Sequence, residues 1–214
     1  MDTALRLFRE RGYQATTMRL IATEAGVSPG NAYYYFDGKD ELVQELYVRI
    51  QHEHREAAMP RLRPGAGLAD NLRTVFDTGL DTMAPYHGFG ATMLQVALST
   101  SAAVSPFSAA SRQARDAAVG LLAEAAGMSR GVPGGALGER LPRLLWLAYL
   151  GITLHWVCDH SPGQRRTRDL VAGGAPLIAR AASLARLPGG RAFAADLVRL
   201  VDQVSPAPHH DRQD

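Results

Sequence analysis

Three consecutive tyrosines, Tyr33, Tyr34 and Tyr35, follow the low-profile stretch Gly30-Asn31-Ala32, with Arg19 upstream and Lys39 downstream. Phenolic hydroxyls, a carboxamide and two cations are groups that bond phosphate oxygens and base edges. Consecutive residues on a helix point about 100° apart, so the three rings cannot share one core and at least one hydroxyl faces solvent. Glycine in a first helical turn costs about 1 kcal/mol relative to alanine, and the small residues at 30–32 let the backbone come close to another surface. The chemistry is that of nucleic-acid contact.

Two short helices must hold these groups. Met18, Ile21, Ala22 and Ala25 recur at helical spacing and form one apolar stripe. Thr16 or Thr17 supplies a hydroxyl cap. Gly26 takes the left-handed conformation that ends a helix, and Val27 is expected to fill the gap between the helices. Ser28-Pro29 restarts the chain as N-cap and first helical residue. The unit reads as a helix-turn-helix.

Other reactive residues carry less. His155, Cys158, Asp159 and His160 are a possible zinc set, but on one helix they point around its circumference, so no metal is expected. His209-His210-Asp211 reads as solvated tail. No nucleophile–base constellation and no glycine-rich phosphate loop after a strand is present, which argues against an enzyme and against a cofactor. Arg165, Arg166 and Arg168 read as a solvated helix start or a subunit contact, with a membrane-surface or second nucleic-acid role as the alternative.

Gly12-Tyr13-x-Ala15-Thr16-Thr17, Ile21-Ala22, Ala25-Gly26-Val27-Ser28, Gly30, Tyr33-Tyr34, Phe36 and Lys39-x-Glu41-Leu42 resemble the DNA-binding domain of the tetracycline-repressor (TetR) family. The resemblance covers residues 2–47, with Leu5, Leu7 and Phe8 matching the end of the family's first helix. Residues 144–188, with His155-Trp156-Val157, Ser161-Pro162-Gly163 and the stretch 184–189, resemble an actinobacterial-type C-terminal region of the same family. The resemblance implies that Arg19 reaches a base or phosphate, and that Thr17 and Ser28 bond phosphates at helix starts. It further implies Pro29, Gly30 and Asn31 at base edges, Tyr34 and Tyr35 on phosphates with Tyr33 beside them, and Lys39 as a phosphate lysine opening the fourth helix. Tyr35 stands where histidine is frequent and Pro29 where a polar or basic residue is frequent, so base preference does not carry over; Leu20, apolar where a charge is usual, reads as a dimer or packing contact. The implied function is a transcriptional regulator, commonly a repressor, binding a palindromic double-stranded operator as a homodimer in the cytoplasm. An activator or a ligand-independent DNA-binding adaptor is the alternative. Members normally begin with a basic arm and a longer first helix, whereas this sequence opens at Asp2-Thr3-Ala4-Leu5, so an upstream extension, or weaker binding without it, is expected.

Composition agrees. A chain of 214 residues accommodates a small DNA-binding domain and a larger core-bearing one. One cysteine precludes an internal disulfide and fits a reducing compartment. No uninterrupted run of 18 apolar residues and no signal-peptide pattern occurs, so no membrane role is expected. Net charge is +2, and residues 1–50 carry six basic against seven acidic side chains, net −1, so the DNA reading rests on placement rather than on total charge.

The remainder reads as all-α. Helices are expected over 40–58 and 68–84, from the break at Pro85–Gly90 to about Thr100, and from Ser105-Pro106 to about Ala126. A mobile glycine/proline-rich loop spans 127–138, and helices follow over 139–159, 165–186 and 190–204 before a tail. The expected domains are 1–47 (DNA-binding), 48–204 (ligand-binding and dimerisation) and 205–214 (tail). Leu144 to Val157 is nearly continuously apolar and needs burial on more than one side. By the resemblance, that second face belongs to a four-helix bundle with a partner subunit. Large adaptable residues, Phe76, Met83, Tyr86, Phe89, Met93, Phe107, Trp146 and Tyr149, are pocket candidates for a small apolar effector, with His87, Gln95, Thr153 and His155 as polar accompaniment.

Overall fold

The computed structural model describes residues 1–98 and 104–185, with isolated residues of the stretch 192–203 and only the backbone of Met93, Gln95, Val96 and Leu98. The expected helix at 190–204 and the tail therefore lie mainly outside the described residues, as does the side chain of the pocket candidate Met93. Within the described residues the protein is helical: α1 (Asp2–Arg11), α2 (Met18–Glu24), α3 (Pro29–Tyr35), α4 (Lys39–Ala58), α5 (Leu68–Met83), α6 (His87–Leu98), α7 (Arg112–Gly127), α8 (Gly135–Cys158) and α9 (Arg165–Leu184). The β pairing described is a single isolated bridge, Gly67 with Arg130.

The first three helices close on a core of Ala4, Leu5, Leu7, Phe8, Met18, Ile21 and Ala22, to which α4 adds Leu42, Val43 and Leu46. Thr17 caps α2, its hydroxyl accepting from the Leu20 amide at 3.1 Å. Thr16 is buried instead, donating to the Gly12 carbonyl at 2.8 Å. The expected stripe is shorter than its spacing suggests, because Ala25 is exposed. Val27 does not fill the inter-helix gap either, being 40% exposed. The turn is closed by backbone: Gly26 sits at φ 71° and the Val27 amide donates to the Ala22 carbonyl at 3.0 Å.

Helix α4 runs from the first three helices into the larger domain, where it packs on α5 and α7. A second junction joins α1 to α6, where Phe8 and Phe89 stack with ring centroids 5.7 Å apart and 8° between planes. Phe89, a pocket candidate, is therefore a wall of this junction. The expected helix from Ser105 begins later, at Arg112. Over 105–111 the carbonyls that a helix would use internally find other donors. Ser111 Oγ donates to the Ser105 carbonyl at 2.7 Å, and the Arg115 guanidinium donates to those of Pro106 and Ser108 at 2.9 and 3.0 Å.

The loop expected to be mobile is short and tied at its start. The Gly65 amide donates to the Met128 carbonyl at 2.7 Å and the Arg130 amide to that of Ala66 at 2.9 Å. Buried Asn71 accepts from the Arg63 amide and donates to the Arg63 carbonyl and Ser129 Oγ, joining the α4–α5 and α7–α8 connections. Helix α8 has the length and apolarity of a membrane span by composition, yet buries Leu145, Trp146, Tyr149, Ile152 and Trp156 in the protein core. After it, Asp159 accepts hydrogen bonds from the hydroxyl and amide of both Ser161 and Thr167. Those bonds, the Ser161 hydroxyl first, hold its carboxyl well below the usual carboxylate range. Asp159 thereby ties the α8–α9 turn to the first turn of α9.

Candidate nucleic-acid interface

Helix α3 is built to be seen from outside. Ser28 accepts from the Asn31 amide at 3.1 Å and Pro29 occupies the first turn, so the start is fixed without tertiary contacts. No residue of α3 is buried. All three tyrosines are exposed, Tyr34 most at 80%, and its ring meets that of Tyr35 edge-on at 5.1 Å. Gly30 and Asn31 are exposed on the same helix, and Thr17, Ser28 and Arg19 on the turns and helix around it. The Arg19 guanidinium makes no hydrogen bond or ion pair with the described residues, whereas Arg6 pairs with Glu10 within α1 at 3.0 Å and joins α1 to α2 through Glu24 at 2.7 Å. Net charge near zero thus coexists with an uncommitted cation on the exposed face.

Lys39, at the start of α4, is more constrained than its sequence position suggests. Its ammonium donates to the Tyr13 carbonyl at 2.6 Å and lies 4.4 Å above the Tyr13 ring centroid. Burial lowers its pKa. Tyr13 is held in turn by donating to the Asp40 carboxylate, and burial together with that carboxylate raises its phenol pKa. An ammonium has three donors, so after Tyr13 two remain for a phosphate. Tyr13 is thus a support of the interface that motif reading left without a role. Its signal is the pairing of an aromatic in the α1–α2 turn with Lys39-Asp40.

The pocket candidates separate into groups. Phe76 stacks on Tyr149 at 5.9 Å and 6°, and the Tyr149 hydroxyl lies 4.0 Å from Met83 Sδ. Trp146, one turn along α8, meets Phe107 edge-on at 5.3 Å, and Phe107 remains 55% exposed. The Tyr86 hydroxyl accepts from Arg49 of α4 at 2.9 Å and so belongs to the link between domains. His87 bonds the Trp156 carbonyl at 2.9 Å, and His155 bonds Thr167 at 2.8 Å. His54, absent from the sequence-level candidates, packs against Tyr149 at 5.7 Å. Its place on the apolar face of the 40–58 helix was the available clue.

Residues 1–46 match the sequence profile of bacterial regulatory proteins of the tetR family, and residues 71–197 match that of the tetracycline repressor-like C-terminal domain. The chain belongs to the TetR family. It is accordingly a DNA-binding transcriptional regulator of a non-enzymatic family. Like other TetR regulators it pairs an N-terminal helix-turn-helix domain with a helical C-terminal one. It is 32% identical over 72 residues to the HTH-type transcriptional regulator YhgD of Bacillus subtilis, spanning 34% of this chain and 38% of that one. It is 48% identical over 46 residues to the HTH-type transcriptional repressor KstR2 of Rhodococcus jostii, 22% of either chain. The match thus spans under two fifths of these relatives' lengths. The fold is similar to that of FadR from Bacillus subtilis in complex with stearoyl-CoA, with TM-score 0.60 and 16% identity over 81% of this chain and 96% of that one.

Proposed function

We propose that this regulator is a homodimeric repressor that binds a palindromic operator and is released by a small apolar effector. The observation that carries the DNA half is α3, a capped helix with no buried side chain and three exposed tyrosines. Arg19 and Asn31 read base edges, with Pro29 and Gly30 allowing close approach, and Thr17, Ser28, Tyr33, Tyr34, Tyr35 and Lys39 bond phosphates. The working division is 1–47 for DNA binding and 48–204 for effector and partner, with an actinobacterial-type C-terminal region, a tail at 205–214 and a cytoplasmic setting.

Dimerisation is supported by a face of α8 and α9 that the subunit leaves open. Leu147 and Leu154 on α8, and Leu170, Leu177 and Leu184 on α9, are all exposed and each seven residues from the next on its helix. Seven residues return a helix to nearly the same face, drifting by about 20°. A twofold protein matches a twofold operator, and the copies of α8 and α9 form a four-helix bundle.

The effector is apolar and binds among Phe76, Met83, Met93, Phe107, Trp146 and Tyr149, with Tyr86 coupling the site to α4 through Arg49. The stearoyl-CoA in the FadR complex, a ligand with a long apolar chain, supports an apolar occupant in this fold. A gel shift of the full chain on the DNA upstream of its own gene tests the reading. Salt-sensitive, saturable retardation of a palindromic segment is expected, and failure to discriminate that segment from scrambled DNA overturns it.

A further inference from the structure

His54 lies on α4, buried to within 2% of its surface, and its Nε2 is 2.8 Å from the Val75 carbonyl. A carbonyl only accepts, so Nε2 carries the ring proton and Nδ1 presents a bare lone pair. That Nδ1 is buried and has no hydrogen-bond partner among the described residues. Tyr149 reaches the same spot from α8. The partner of its hydroxyl is the Met83 thioether at 4.0 Å, a weak acceptor. The two groups converge over the bare Cα of Gly79 on α5. A Cβ there would stand 2.3 Å from Tyr149 Oη and 2.9 Å from His54 Cε1. Phe76, stacked on Tyr149, supplies an apolar wall.

Buried polar groups are seldom left unpaired, because an unpaired one has lost its water without gaining a partner. One acceptor and one donor, on rings whose centroids lie 5.7 Å apart, match a group that both donates and accepts without carrying charge. We propose that the effector is an apolar molecule bearing a hydroxyl, which donates to His54 Nδ1 and accepts from the Tyr149 hydroxyl. A carboxylate meets a lone pair at Nδ1, and an ether or ketone leaves it unpaired. An ammonium brings an uncompensated charge into the core. The proposal deepens the apolar-effector reading above and rests on it. It assigns the polar end of the site to a residue of the helix that begins at the DNA face.

n-Nonanol and its isomer methyl octyl ether, titrated calorimetrically into the full chain, separate the two ideas, since they share size and apolarity and differ in the donor. Nonanol is expected to bind about tenfold more tightly than the ether, and the preference to disappear in His54→Phe and shrink in Tyr149→Phe. Histidine nitrogen NMR of the wild-type protein gives a readout independent of how the variants fold: the His54 Nδ1 resonance should move with nonanol and not with the ether. Equal affinities with an unmoved Nδ1 resonance overturn the hydroxyl inference while leaving an apolar effector standing. Binding of neither compound overturns the apolar pocket and this inference with it.

Discussion

Phe8 of α1 and Phe89 of α6 lie face to face, both excluded from solvent, so an aromatic contact joins the DNA-binding helices to the larger domain beside the continuous α4. Truncating either ring removes packing on both sides of the junction. Phe89→Ala is expected to lower stability by about 3–5 kcal/mol, measured by urea unfolding. Phe8→Leu, which keeps most of the volume, should leave operator affinity intact and weaken its dependence on effector.

The interface predicts two distinct failures. Arg19→Ala should cost about 1–3 kcal/mol of operator binding and relax sequence preference. Lys39→Ala should weaken all sequences alike and lower the salt slope by about 1. Because Lys39 also bonds the Tyr13 carbonyl, its loss should reduce thermal stability as well, which Arg19→Ala should not. Parallel binding titrations at several salt concentrations and melting curves distinguish the two.

Leu154→Arg places a guanidinium on the open face of α8. In a dimer that buries this face the charge is unpaired, and dissociation to monomer is expected by light scattering at micromolar concentration with the helical content unchanged. A stable wild-type monomer at that concentration removes the basis for the four-helix bundle.

Burial lowers the pKa of His54 in the folded chain. Unfolded, the imidazole takes its proton near pH 6.5, so below that value the unfolded state binds more protons and stability falls with falling pH. Its contribution is complete above about pH 6.5 and is lost through the window between that value and the lower folded pKa. Melting temperature should drop by a few degrees between about pH 7.5 and pH 5.5, and His54→Gln should flatten this part of the profile. Asp159 acts in a separate, much more acid range, where protonation weakens its bonds to Ser161 and to Thr167 in the first turn of α9.

The DNA-reading half of the fold is legible because its determinants are local. Ser28-Pro29, Gly26 and Thr17 act within three or four residues, and each does what its type implies. Long-range partners are not legible in the same way. Nothing in the one-dimensional pattern pairs Phe8 with Phe89, Tyr86 with Arg49, or His54 with Tyr149, since these meet only once the helices pack. The late start of α7 has a similar cause. Ser105-Pro106 is a sound helix opening locally, but Ser111 and Arg115 take up the intervening carbonyls, and Ser111 Oγ also lies 3.1 Å from the side-chain amide of Gln44 of α4. The tie between the two loops at Gly65–Gly67 and Met128–Arg130 overrides the freedom that glycine and proline suggest there.

That tie has a mechanical consequence. The far end of α4 is held by the Arg55–Glu124 ion pair at 2.7 Å, and the chain that leaves it is clamped at Gly65 and Ala66 by their bonds to Met128 and Arg130. A helix of 20 residues is about 30 Å long. With the clamp as fulcrum, a rotation of only about 5° carries the opposite tip by about 2.6 Å, a sizeable displacement for a pair of helices that must meet successive grooves of one duplex. His54 lies close to the fulcrum and Lys39 at the tip, so the geometry is that of a lever with its short arm in the core.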